Sequence, residues 1–216
     1  MPPKAPKGEY IETDTGNKIS RRSLIHGTQH IILGGKTVIQ SDAVIRGDLY
    51  RSASSSASSA AAAHKPTPSM SAPAGAASAS AAPQPPPSVA ITIGRYSYIA
   101  RQAILRPPSR LHRGVYAFYP LKIGDHVFVG ERAVVEAASV GNHVHIGRDA
   151  VVGSMAILKD FACVLDGAVV APGMVVPSWC VVGGAPARIV GEVGEGYGVE
   201  GAEGGMARER YRVVGR

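Results

Sequence analysis

His143 and His145 stand two residues apart, the spacing that turns two imidazoles onto one face of a β-strand. His126 lies one structural repeat before them. Such a group binds catalytic zinc when three protein ligands converge and a fourth position stays open. No third ligand clusters with the pair, so the arrangement reads as an exposed histidine ladder rather than a metal site. His112 suggests another chemistry, that of a general base in acyl transfer. Its surroundings hold Arg110 and Arg113 and no partner carboxylate. These residues imply no cofactor.

The elements that carry them follow from a six-residue repeat. Aliphatic residues fall at Leu33, Ile39 and Ile45, at Ile93, Ile99 and Leu105, and at Ile123, Val129 and Val135. After one five-residue step the rhythm runs from Val140 through Ile146, Val152, Leu158, Val164, Val170 and Val176 to Val182. The next position is often glycine, as at Gly94, Gly124 and Gly141, and the fifth is small or β-branched. A six-residue period fits neither a helix nor a continuous strand. It fits a parallel β-solenoid whose hexads are short strands joined by corners, with glycine expected where the corner turns tightly. The hexad pattern resembles the left-handed parallel β-helix, in which three hexads make one triangular coil; six or seven such coils stacked at ~4.8 Å would give a prism roughly 30 Å long.

Composition agrees. Hydrophobic residues make up 45% of the 216-residue chain and aromatic residues only 6%, as a narrow core of Val, Ile and Ala requires. Cys180 falls in an inward slot and Cys163 on an outward one, which argues against a disulfide and for a reducing compartment. No segment reads as a signal sequence or a membrane span, so a cytoplasmic protein without membrane insertion is expected. The net charge of +7 comes from scattered residues with no aromatic-interleaved basic strip, so nucleic acid is not the expected partner. The predicted organisation is a disordered N-terminus (1–9), a β-helix (10–190) and a Gly-rich, then basic tail (191–216). An Ala/Ser/Pro-rich stretch at 51–88 cannot bury enough to offset its ordering entropy and is expected as a disordered loop.

The hexads resemble the left-handed parallel β-helix, so the expected class is all-β. Ile45-Arg46-Gly47-Asp48, Ile93-Gly94 and the run from Ile123 to Asn142, with its five-residue step, resemble γ-class carbonic anhydrases. That resemblance implies structural ion pairing at Arg46-Gly47-Asp48. It would place three zinc-binding histidines at positions occupied here by Arg106, Glu131 and Glu136. A cation and two carboxylates cannot replace three imidazoles, so the zinc site is read as lost. Gly183-Gly184-Ala185-Pro186-Ala187-Arg188 resembles the segment that closes the helix in hexapeptide acyltransferases, and an enzyme acting on an acyl-CoA is the alternative function.

More of the chain is similar to the dynactin subunit 5 family. The matching segments include Glu9-Tyr10-Ile11-Glu12-Thr13, Gly16-Asn17-Lys18-Ile19-Ser20-Arg21, Gly35-Lys36-Thr37-Val38-Ile39 and Ile45-Arg46-Gly47-Asp48-Leu49. Arg106-Pro107-Pro108, Pro120 to Phe128, Leu158-Lys159-Asp160 and Val175-Val176-Pro177 extend the likeness. The Gly-rich tail does not resemble the helical C-terminus usual in the family. The resemblance implies a non-enzymatic adaptor in the pointed-end part of dynactin, beside dynactin subunit 6 and other pointed-end subunits. It would be cytoskeleton-associated and would help dynein, indirectly, to engage vesicular cargo such as endosomes.

With three hexads per coil, the fourth position of successive first hexads reads Lys36, Tyr96, His126, His143, Phe161 and Trp179. These rings are expected along one prism edge, spaced by about one coil (~4.8 Å). Such an edge is either a stabilising stack or a partner contact formed by Tyr96, His126, His143, Phe161 and Trp179, anchored on the single tryptophan.

Overall fold

The computed structural model describes residues 9–50, 89–112, 115–194 and 206–214. The expectations for 1–8, for 51–88 and for 195–205 therefore lie outside the described residues.

Three stacks of very short parallel strands build a triangular prism. The first face runs through Lys18–Ser20, Val38–Ile39, Tyr98–Ile99, Phe128–Val129, His145–Ile146, Cys163–Val164 and Cys180–Gly183. The second runs from Leu24–His26 through Val44–Arg46, Ile104–Leu105, Val134–Val135 and Val151–Val152 to Val169–Val170. The third runs from Ile31–Leu33 through Ile91–Ile93, Leu121–Ile123, Ser139–Val140 and Ile157–Leu158 to Val175–Val176. Antiparallel strands close the first face at both ends, Tyr10–Glu12 on the first rung and Arg188–Glu192 on the last. The first coil precedes Leu33, where the sequence repeat becomes regular, because Lys18 and Ile19 already pair with Val38 and Ile39.

The repeat positions have distinct fates. Position one points inward: Ile39, Ile45, Ile99, Leu105, Val129, Val135 and Val152 are all fully buried. Position five adds Ala43, Ala103, Ala133, Ala150 and Ala168, also fully buried, which keeps the corners narrow. The inward hydroxyls of Thr37 and Ser97 donate to the carbonyls of Gly94 and Gly124 at 3.0 and 3.1 Å, so no polar group is stranded there. The five-residue step shortens one corner and leaves the ladder intact, because Ser139 and Val140 still pair with Lys122 and Ile123.

The corner glycines do a different job from the one expected of them. The left-handed backbone falls at position four, with φ of 54° at Tyr96, 57° at His126, 59° at Phe161 and 63° at Trp179. Glycine at position two is required by close approach between coils. A Cβ on Gly124 would stand 2.6 Å from Asn142 Oδ1 and from the Gly141 carbonyl oxygen.

The described residues flanking 51–88 are held on the prism. The Tyr50 ring stacks on His30 at 3.8 Å, and the Ala90 N–H donates to the His30 carbonyl at 2.8 Å. A hairpin of Ser109–His112 and Val115–Phe118 leaves the third corner, with Leu111 and Tyr116 exposed. Its base is tied to Ser154, whose hydroxyl donates to the Ser109 carbonyl at 2.9 Å.

The tail holds a helix that composition did not reveal, α1 (Met206–Val213). It packs Ala207 and Tyr211 on Val38 and Tyr98 of the first face. Tyr211 Oη donates to the Gly16 carbonyl at 2.8 Å, and Lys18 Nζ donates to the carbonyls of Tyr211 and Val214, where a cation complements a helix C-terminus. No described helix is long and apolar enough to cross a membrane.

Candidate partner interface

The edge between the third and first faces carries one side chain per coil at position four. Lys36 Nζ lies 5.2 Å from the Tyr96 ring centroid and donates to its hydroxyl at 2.9 Å. Tyr96 stacks on His126 at 5.1 Å, His126 on His143 at 4.6 Å, His143 on Phe161 at 4.9 Å, and Phe161 on Trp179 at 4.0 Å. The rings are nearly parallel, within 12° at each step. Trp179 ends the stack and is 42% exposed, while the rings before it are half-buried.

The backbone explains why the stack is continuous. A left-handed non-glycine residue costs roughly 1–2 kcal/mol, and here it turns each position-four N–H toward the previous coil. His126 N donates to the Arg95 carbonyl at 2.8 Å, and His143 and Phe161 donate to Asp125 and Asn142 at 2.9 Å each. The same conformation projects each ring outward over its predecessor. Ring stacking at about 0.5–1.5 kcal/mol per pair offsets much of the local strain. Position three locks the corner from the side. Asp125 Oδ1 accepts from Arg95 N at 2.6 Å, Asn142 Oδ1 from Asp125 N at 2.9 Å, and Asp160 Oδ1 from Asn142 N at 2.7 Å. His143 Nδ1 is buried in the stack without a hydrogen-bond partner.

Position six of the first face bears a second ladder that repeat-counting missed. Tyr98 stacks on Phe128 at 5.3 Å and Phe128 on His145 at 4.9 Å. His143 and His145, expected on one strand face, are separated: His143 occupies the left-handed corner and joins the ring edge, whereas His145 lies on the strand that follows and joins the second ladder. Helix α1 covers the start of the second ladder. Beyond it lies a cleft of about 340 Å³ lined by Phe128, Glu131, His145, Arg148, Asp166 and Arg210. Burial raises the Tyr98 hydroxyl above its ordinary value of 10.0. Its signal was present in the sequence, in the aromatic residues at Tyr98 and Phe128.

The positions compared with zinc ligands are otherwise engaged. Arg106 forms a salt bridge to Glu136. Glu131 is an exposed residue of the cleft beside α1. Three imidazoles would be neutral donors converging on one point, whereas this set contains a guanidinium already bound to one of its carboxylates. Arg46 and Asp48 form a two-pronged pair at 2.8 Å for both contacts, which holds the Asp48 carboxyl below its ordinary range. On the next edge Arg132 grips Asp149 at 2.6 Å in the same way and lowers its carboxyl likewise. His112 ends the first strand of the hairpin. The two cysteines form no disulfide, with Cys180 packed against the core cluster and Cys163 buried outside it.

Three faces of short strands, fully buried aliphatic columns and left-handed residues at most corners define a hexapeptide-repeat, left-handed parallel β-helix. Solved structures share that fold. A hexapeptide transferase family protein from Anaplasma phagocytophilum is 16% identical, covers 91% of this chain and 87% of its own, and superposes with a TM-score of 0.52. The N-acyltransferase AntD from Bacillus cereus, bound to dTDP and coenzyme A, is 14% identical over 83% of each chain with a TM-score of 0.57. The family model of dynactin subunit 5 matches residues 4–63 and 87–199, so the chain belongs to the dynactin subunit 5 family. Dynactin subunit 5 of Dictyostelium discoideum is 33% identical over 135 residues, which are 62% of this chain and 48% of that relative. The chain thus matches about half the length of that relative.

Proposed function

We propose that this chain is a structural adaptor of the dynactin pointed-end assembly. It contacts dynactin subunit 6 and other pointed-end subunits and indirectly supports dynein-driven transport of vesicular cargo in the cytoplasm. The observation that carries this reading is the family match, which spans both sides of the 51–88 insertion. Further support comes from the residues themselves. Arg106 and Glu136 neutralise each other where the related enzyme class needs metal ligands, which supports a role without zinc at these positions.

The ring edge of Tyr96, His126, His143, Phe161 and Trp179 is the proposed contact with a neighbouring subunit. Flat aromatic surfaces lose little conformational entropy on binding and are frequent hot spots. The test is affinity purification of the tagged full-length chain from its own cells. Dynactin subunits should co-purify in stable proportion. A stable homotrimer that binds an acyl-CoA, free of dynactin subunits, would replace this reading with the acyltransferase one.

A further inference from the structure

Each of the two ring ladders begins beside a cation. Lys36 Nζ lies 5.2 Å from the Tyr96 centroid at the start of the ring edge, and the Arg210 guanidinium 5.9 Å from the Tyr98 centroid at the start of the second ladder. The ring edge has no such cap at its other end. Trp179 stacks one face on Phe161 at 4.0 Å and 6°, the closest step of the column. Among the described residues no ring, Lys or Arg stands over its other face, and the side chain is 42% exposed. An indole face attracts cations more strongly than a phenol or phenyl face does. Exposed Asp160, whose carbonyl accepts the Trp179 N–H at 3.3 Å, adjoins it, and Glu192 pairs with Cys180, the next residue along. Lys159 precedes Asp160 without lying over the indole. Between Arg188 and Arg208 the sequence holds Glu192, Glu195, Glu200 and Glu203 and no Lys or Arg, so that stretch supplies no cap.

We infer that the outer face of Trp179 receives an arginine guanidinium from a neighbouring subunit, which becomes the last layer of the ring edge. Two requirements select this group. The column is a run of parallel planes, so its continuation is planar. An uncapped indole beside Asp160 and Glu192 also draws positive charge. A guanidinium meets both, being flat, permanently charged and more weakly hydrated than an ammonium, so it stacks on an aromatic face at low desolvation cost. An ammonium meets only the second requirement, and an aromatic side chain only the first. A second copy of this chain is disfavoured as donor, since two chains of net charge +7 repel. The donor is a different chain. The inference rests on the reading of the ring edge as a subunit contact and names the chemistry that its anchor takes.

Trp179 is the single tryptophan, so 5-fluoro-, 5,6-difluoro- or 5,6,7-trifluorotryptophan supplied during expression labels that site alone. Fluorine withdraws negative charge from the ring face while leaving shape and apolar area nearly unchanged. The labelled full-length chain, shown to be folded by circular dichroism, is mixed with unlabelled dynactin subunits and its affinity measured. Affinity should fall with each added fluorine, by roughly tenfold across the series. Equal or rising affinity along the series overturns the inference, because burial of apolar area alone gives that result. Trp179→Phe, with a weaker ring face, should bind less tightly than the natural chain and more tightly than Trp179→Ala. The partner segment is mapped with p-benzoylphenylalanine in place of Ser178, the exposed residue before the indole. It should contain an arginine of another subunit. Changing that arginine to alanine should abolish the dependence on fluorine, and changing it to lysine should keep part of it. A segment without arginine, a second copy of this chain, residues 195–205, or no cross-link while dynactin subunits bind each overturn the inference. If no dynactin subunit binds the unlabelled chain, the assembly reading fails and this inference with it. Binding that is indifferent to fluorination ends this inference alone.

Discussion

Asp125 folds back onto Gly94. Its Oδ1 accepts the Arg95 N–H at 2.6 Å and lies 2.4 Å from where a Cβ on Gly94 would be. The Gly124 carbonyl oxygen stands equally close to that point. The glycine of one coil and the Asp or Asn of the next are therefore one stacking unit, repeated at Gly124 with Asn142 and Gly141 with Asp160.

Gly94→Ala should accordingly destabilise the protein by about 2 kcal/mol or more, since rigid backbone must move. Adding Asp125→Ala should not restore it, because the Gly124 carbonyl remains in place. Urea denaturation of the single and double variants measures both. Recovery in the double variant would assign the constraint to the carboxylate alone.

Position four offers a contrast. Gln102 has φ of 57° on an edge without ring stacking, so Gln102→Gly should be stabilising by up to about 1 kcal/mol through relief of left-handed strain. Phe161→Gly relieves the same strain but removes the stacks on His143 and Trp179 and should destabilise. Opposite signs in equilibrium unfolding are the expected result.

If the ring edge meets a partner, Trp179→Ala should cost ~2 kcal/mol or more of binding, beyond any loss of stability. The measurement is assembly of the folded fraction of Trp179→Ala and Phe161→Ala chains with dynactin subunits. Lower stability with unchanged assembly would leave the stack a purely structural feature.

Alkaline pH should weaken the fold through Tyr98. Burial raises its folded-state pKa above 10.0, so the folded protein holds the proton more tightly than the unfolded chain does. That contribution is complete below pH 10 and is lost as pH rises through the folded-state value. Tyr98→Phe, which keeps the ring on Phe128, should flatten the loss of stability above pH 10, measured as the urea midpoint against pH.

Purified protein should carry no stoichiometric zinc by elemental analysis, since Arg106 is bound to Glu136 rather than open to a metal. Zinc at one per chain or per three chains would contradict the reading of these positions.

The coil plan was legible in the sequence because a solenoid makes spacing along the chain equal to position on a surface. Leu105, Val135 and Val152 repeat in sequence, and each sits directly over the last in space. The ring column from Tyr96 to Trp179 was legible for the same reason. Where spacing and position part company, the sequence was silent. The first coil, around Ile19, precedes the regular repeat because Gly27 and the short turn Thr28–His30 alter its step. Helix α1 has no hexad, and what stabilises it is distant: Gly16, Lys18 and Tyr98 become its partners only once the first coils have stacked. Exposure is likewise a tertiary property. Val38 and Val151 hold equivalent outward positions on two faces, and the docking of α1 buries the first while the second remains open to solvent.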